Sequence, residues 1–187
     1  MYNEVDLNFQ NKKWKIATTS LSGCFGCHTS LLDIDDRILE LIKVVEFDRS
    51  PINDIKTCGT CDIGLVEGSV CNAENVHILR EFRRNARVLV AVGACAINGG
   101  LPAQRNQHSI EELLNDVYCK MPGVGGNVPD DKELPLLLDK VRPISEVVRI
   151  DYFISGCPPS ANAIWEFIND FISGQTPHLD DAKMRYD

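Results

Sequence analysis

The sequence predicts an α/β fold: an open, doubly wound, mostly parallel five-stranded sheet, flavodoxin-like in size. Three observations carry this. Short apolar runs of strand length alternate with stretches of helical spacing. The strand candidate RVLVAV at Arg87–Val92 is continuously apolar after its first residue, as strands covered on both faces are. The length, 187 residues, suits one compact domain over 1–187.

Trp14–Thr18 opens the pattern as a short β-prone run. In Leu31–Val45, Leu31, Ile34, Ile38, Leu41 and Val45 share one helical face, with Asp33, Asp36, Glu40 and Lys43 off it. Val44–Phe47 reads as the next strand, and Asp62–Val66 as another. Asn72 is placed to cap a helix over Ala73–Arg84, which ends in two arginines and Asn85. Ser109 and Glu112 form a capping-box pattern for a helix running to Val117. Residues 119–132 are rich in glycine and proline around an excursion loop, and Glu133–Lys140 reads as a short helix. Arg149–Ile154 is the last strand. The closing helix spans Ser160–Ser173 with Ile164, Phe167, Ile168 and Phe171 on one face, stopped by Gly174.

Composition narrows the function. Nineteen basic residues stand against 27 acidic, a net charge of −8, which argues against a nucleic-acid or anionic-membrane surface. No run approaches the roughly 18 apolar residues of a membrane span. The polar segment Met1–Lys13 lacks the charged start and apolar run of a secretory signal, so a cytoplasmic protein is expected. Eight cysteines in 187 residues fall well below the roughly 8–10% of a disulfide scaffold. In a reducing compartment, tightly spaced cysteines read as metal ligands or redox groups.

Four of the eight share a property. Cys24 and Cys27 (GCFGC) follow the first strand, Cys95 (GAC) follows Val92, and Cys157 (GCPP) follows Ile154. Each lies past the carboxyl end of a strand, the edge where open α/β sheets bind ligands. Parallel strands bring these ends to one side, and adjacent glycines allow close backbone approach to a bulky group. Four such thiolates suit a [4Fe–4S] cluster or a zinc ion. A pair plus two remote singles favours the cluster over zinc, which more often takes two close pairs. CFGCH also matches the c-type haem pattern, but that attachment normally follows export. A thioredoxin-like dithiol would leave Cys95 and Cys157 without a role. Zinc on Cys24, Cys27, Cys58 and Cys61 would need a longer gap than the usual ribbon.

Cys58 and Cys61 (TCGTC) precede their strand and so fall toward its amino end, some 15 Å or more from the four-cysteine edge. Two readings compete: a tight turn with incidental thiols, which is favoured, and an extra redox or metal pair. Cys71 and Cys119 read as small apolar residues; a second four-cysteine site from 58, 61, 71 and 119 is arithmetically open.

The motifs ATTSLSGCFGCHTSLLDID (17–35), LVEGSV (65–70), VAVGACAINGG with PAQRN (91–106) and ISGCPPS (154–160) occur in order. Together they resemble the small subunit of [NiFe] hydrogenases over about residues 14–175. The nearest likeness is to the soluble, cytoplasmic, NAD(P)-linked multisubunit enzymes. The resemblance implies one [4Fe–4S] cluster proximal to the nickel–iron centre, with Cys24, Cys27, Cys95 and Cys157 as its ligands. It implies a nickel–iron centre on a large-subunit partner, where dihydrogen is split. Further iron–sulfur/flavin diaphorase subunits, one carrying FMN, would react with NAD(P) or ferredoxin. With no cysteine after Cys157, a single cluster is expected here. The pair in TCGTC departs from the family pattern and leaves open an extra site or a cluster that changes ligands on oxidation. Two other readings are a complex-I-like or energy-converting membrane enzyme, and a zinc-stabilised interaction module. Against the first, those relatives typically use adjacent cysteines.

Glu67 ends a strand on the cluster edge. It reads equally as a capping carboxylate or as a group beside the cluster or in proton exchange with the partner. His28 reads equally as a donor to a cluster sulfide or as a helix cap. Helix N-termini after Cys27 and Ser160 would direct partial positive charge at an anionic cluster. No flavin is expected on this chain, because the first strand–helix loop is occupied by ligand residues rather than a phosphate cradle.

Overall fold

The computed structural model describes residues 13–124 and 126–178. The polar N-terminal segment therefore lies, but for Lys13, outside the described residues, as does the tail beyond His178. Strands β1 (Trp14–Ser20), β2 (Val45–Phe47), β3 (Cys61–Glu67), β5 (Ala86–Val92) and β7 (Tyr152–Ile154) form one five-stranded sheet. Its order is β2-β1-β3-β5-β7, and each pairing is parallel. The doubly wound parallel sheet read from the sequence is thus observed. Between the strands run helices α1 (Gly26–Leu32), α2 (Arg37–Val44), α3 (Ala73–Asn85), α4 (Gly93–Asn98), α5 (Ile110–Asn115) and α6 (Ala161–Ile172).

Alternating side chains feed two cores. Ile16, Ile63, Leu65, Val90, Val92 and Ile154 pack on one face with Leu31, Leu41, Ile164, Phe167 and Ile168. Ala17, Val66, Leu89 and Ala91 join Leu79, Phe82 and Ala96 on the other. Gly64 makes room there: a Cβ on it would lie 2.9 Å from the Leu89 side chain and 3.0 Å from Ala86 Cβ. Burial on both faces explains the unbroken apolar run of β5.

Several sequence-based boundaries are corrected. The helix expected over Leu31–Val45 is two helices, α1 and α2. The chain turns between them at Asp35, whose φ of 55° is left-handed; among L-residues Asp is one that tolerates this. The expected helix over Glu133–Lys140 is instead strand β6 (Leu137–Arg142), paired antiparallel with β4 (Val70–Asn72). The PAQRN motif fixes it there. Arg105 donates to the carbonyls of Cys71 (3.1 Å) and Leu138 (2.7 Å), and the Asn106 amide exchanges two hydrogen bonds with the backbone of Val141. The last strand is shorter than read: Asp151 precedes it, bonding through its N–H to Leu89 O at 2.9 Å. The helix capped by Ser109 passes into a π-helical turn at Asp116–Lys120. The caps at Asn72, Ser109 and Ser160 are observed, each side chain accepting from a backbone N–H three residues on. No helix of the described residues is long and apolar enough to cross a membrane.

Candidate metal centre

β1, β3, β5 and β7 are neighbours in the sheet, and all end on the same edge. The loop after β1 carries Cys24 and leads into α1, whose first turn holds Cys27. Glu67 is the last residue of β3. Cys95 lies in α4 directly after β5, and Cys157 follows β7. The strand order reverses direction between β1 and β3, the switch point at which such sheets open a crevice. Cross-links close the loops over it: Leu21 N bonds Glu67 O at 2.9 Å, and Ala94 N bonds Gly156 O at 2.8 Å.

The four rim cysteines are free thiols, with Cys24 and Cys157 exposed and Cys27 and Cys95 half-buried. They are electrostatic neighbours: Cys27 feels Cys95 and Cys24, and Cys95 feels Cys157 and Cys24. Burial, then the Glu67 charge, pushes the Cys27 thiol far up; burial and then Cys157 raise Cys95. Both therefore favour the protonated form until positive charge arrives, as thiols awaiting a metal do.

Glycines shape the same rim. A Cβ on Gly93 would sit 2.4 Å from Cys27 Sγ, and one on Gly100 would sit 2.8 Å from Cys95 Sγ. The φ of Gly93, +82°, is itself a conformation that L side chains resist. The rim is thus built from sulfur donors with the backbone held back around them. Among the described residues, no three His, Cys, Asp or Glu side chains are grouped so as to hold a single metal ion. The donor set is all sulfur, the ligand type of structural zinc and of iron–sulfur clusters alike. Its chemistry fits a cluster, in which each thiolate binds a different iron.

Beneath the rim lies a buried polar chain. Glu67 is 3% exposed, and its Oε2 accepts the N–H of Cys27 at 2.9 Å. Its Oε1 stands 2.9 Å from His28 Nδ1, an ion-pair distance without good hydrogen-bond alignment. His28 Nε2 meets Thr18 Oγ1 at 2.9 Å, and Thr18 Oγ1 meets Ser50 Oγ at 2.7 Å. The His28 ring stacks on Phe25 with centroids 4.7 Å apart. Burial raises the Glu67 carboxyl, but the adjacent His28, with help from Ser20 and Cys27, outweighs it and holds the group below its ordinary range.

The two ring nitrogens of His28 thus face Glu67 and Thr18. Glu67 serves as a cap, and the N–H it caps belongs to a rim cysteine. Ser50 lay in no motif, and Thr18 and Phe25, although inside the motif at 17–35, were given no role there. The one available signal for Thr18 was a hydroxyl in a strand otherwise buried on both faces.

The other cysteines do not assemble. Cys58 and Cys61 lie at the amino end of β3, six strand steps or about 20 Å from Glu67. Cys71 Sγ donates to Asn75 Oδ1 at 3.2 Å, and Cys119 is exposed on the π turn. The arithmetic of a second four-cysteine site is therefore not realised.

An all-cysteine rim on the carboxyl edge of a doubly wound sheet is a donor set suited to the iron–sulfur chemistry of an electron-transfer chain. Residues 24–171 match the family described as NADH ubiquinone oxidoreductase, 20 Kd subunit, and the chain belongs to that family. Within it, the similarity runs to small subunits of [NiFe] hydrogenases. The chain is 42% identical over 180 residues to the NAD-reducing hydrogenase HoxS subunit delta of Cupriavidus necator, covering 94% of this chain and 86% of that one. It is 38% identical to a subunit of the F420-non-reducing hydrogenase vhu of Methanocaldococcus jannaschii, with 88% of this chain and 58% of that one covered. A solved NAD+-reducing [NiFe]-hydrogenase in the H2-reduced state contains a chain 59% identical, with a TM-score of 0.92 over 94% of this chain and 100% of that one. A [NiFeSe]-hydrogenase of Dm. baculatum, at 19% identity and a TM-score of 0.55, shares the fold. The chain is an electron-transfer small subunit of the [NiFe]-hydrogenase type, as its motifs led one to expect.

Proposed function

We propose that this chain carries one [4Fe–4S] cluster on Cys24, Cys27, Cys95 and Cys157. It would relay electrons between the nickel–iron centre of a large subunit and further iron–sulfur/flavin diaphorase subunits that react with NAD(P), FMN being on one of those. The observation that carries this is the convergence of four thiols on one sheet edge, with glycine wherever a side chain would strike their sulfurs. The NAD-reducing names of the similar proteins support the acceptor, and a cytoplasmic location follows from that reading.

When bound, the cluster supplies one-electron redox chemistry. The chain's own work is positional. Glu67 fixes the Cys27 backbone by its 2.9 Å hydrogen bond and keeps a negative charge close by. A fixed anion there favours the more oxidised, less negative state of the group it faces. The apolar side chains of Leu31, Leu65, Val92 and Ile164 line the narrow pocket below Cys27 and keep bulk water from it. Dihydrogen is split in this reading on the partner, and the exposed Cys24 and Cys157 mark the face toward it.

The test is anaerobic purification of the tagged chain with its bound partners, followed by subunit identification and iron, sulfide and zinc analysis. Co-purification of a large subunit with iron and acid-labile sulfide is expected. Zinc without sulfide would overturn the reading.

A further inference from the structure

Thr18 occupies a place in β1 where an aliphatic side chain would pack. It lines the narrow pocket shared by Leu31, Leu65, Val92 and Ile164 and is fully buried, yet it carries a hydroxyl. That hydroxyl has two partners, both buried: His28 Nε2 at 2.9 Å and Ser50 Oγ at 2.7 Å. Ser50 lies in the loop after β2, and the loop is tied to β1 at the same residue, since Thr18 N–H donates to Arg49 O at 2.8 Å. Asn53 braces the loop in turn. Its side chain donates to Asp48 O at 2.6 Å and accepts from Ser50 N at 3.3 Å.

The His28 ring is held from three sides. Phe25 stacks on it nearly parallel, at an interplanar angle of 8°, which fixes the plane of the ring. In that plane Nδ1 points at Glu67 Oε1, 2.9 Å away, and Nε2 points at Thr18. A hydroxyl backed by a second hydroxyl serves Nε2 in either state. Thr18 donates to a ring lone pair while accepting from Ser50, or accepts a ring N–H while donating to Ser50. Without it, a buried ring nitrogen would have no partner, and the ring would be driven to turn. Glu67 would then lose the neighbour that aligns it, and its Oε2 is the group that accepts the Cys27 N–H at 2.9 Å.

We propose that Thr18, backed by Ser50, is a positioning residue for the metal centre. It holds the His28 ring against Glu67, so that Glu67 stays on the Cys27 N–H and its charge stays beside the rim. The consequence for redox potential rests on the cluster reading given above; the hold on Cys27 does not.

The test compares the unmutated protein, assembled with its partners, with Thr18→Val, Thr18→Ser and Ser50→Ala. Valine keeps the shape of threonine and removes only the hydroxyl. Two quantities are read: hydrogen–deuterium exchange of peptides spanning residues 24–32, and the midpoint potential of the cluster by EPR-monitored redox titration. In Thr18→Val, exchange of that segment is expected to become roughly fivefold or more faster. The midpoint is expected to rise, because an anion that favours the oxidised state is no longer fixed at the rim. Thr18→Ser is expected to restore both, and Ser50→Ala to move both in the same direction by less. In a Glu67→Gln background, Thr18→Val is expected to leave the midpoint where Glu67→Gln alone puts it. Parental exchange or a parental midpoint in Thr18→Val, no rescue by Thr18→Ser, or an equal midpoint shift in both backgrounds would each overturn the proposal. If Thr18→Val does not fold, Ser50→Ala decides, and parental values there overturn it. If the rim holds no iron and sulfide, the cluster reading falls, and exchange alone decides whether Thr18 holds Cys27.

Discussion

Glu67→Ala tests the link between the buried polar chain and the rim. The carboxylate is 3% exposed and accepts the Cys27 N–H at 2.9 Å. Truncation leaves that buried N–H without an acceptor, at a cost of about 1–3 kcal/mol. It also leaves His28 Nδ1 without the group that stands 2.9 Å from it. Since each 1.36 kcal/mol is a factor of ten, opening of the first turn of α1 should become about 5- to 150-fold more frequent. Hydrogen–deuterium exchange on peptides spanning residues 24–32 of the assembled protein reads this directly. Glu67→Gln retains an acceptor and should fall at the low end of the range. Exchange in that segment unchanged in both variants would refute the claim that Glu67 secures Cys27.

Other expectations are narrower. Because the Glu67 carboxyl is held below its ordinary value of 4.5, its contribution is fully present above that pH and is lost as pH falls through the lowered value. The exchange ratio of Glu67→Gln to the unmutated chain should therefore shrink below about pH 4.5; a constant ratio would contradict the assignment. Gly93→Ala places a Cβ 2.4 Å from Cys27 Sγ at a φ of +82°. It should lower bound iron several-fold while far-ultraviolet circular dichroism stays near that of the parent. Phe82→Ala, in a fully buried position against β3 and β5, should cost about 3–5 kcal/mol, measured as a lower midpoint in urea.

The sheet was legible because burial on both faces leaves an unbroken apolar run, as in Leu89–Val92. The rim was legible because parallel strands deliver the loops at their carboxyl ends to one edge, so Cys95 and Cys157 could be matched to Cys24 and Cys27 from topology. The β4–β6 pair was not legible. Leu137–Arg142 is half polar and short, and what makes it a strand is Arg105 and Asn106, some thirty residues earlier. The break at Asp35 was hidden because apolar spacing continues across it through Ile34 and Ile38, so periodicity reported a common buried face and not a continuous helix. The partners of His28 were likewise invisible, since Thr18 and Ser50 reach it only through the register of β1 and the loop after β2.

The most direct measurement is low-temperature EPR of the reduced small-subunit–large-subunit complex, comparing Cys95→Ser with Cys58→Ser. If the carboxyl edge holds the cluster, the first variant loses or alters the cluster signal and the second leaves it as in the parent. A signal that survives Cys95→Ser unchanged, or disappears with Cys58→Ser, would contradict the assignment of the metal centre to that edge.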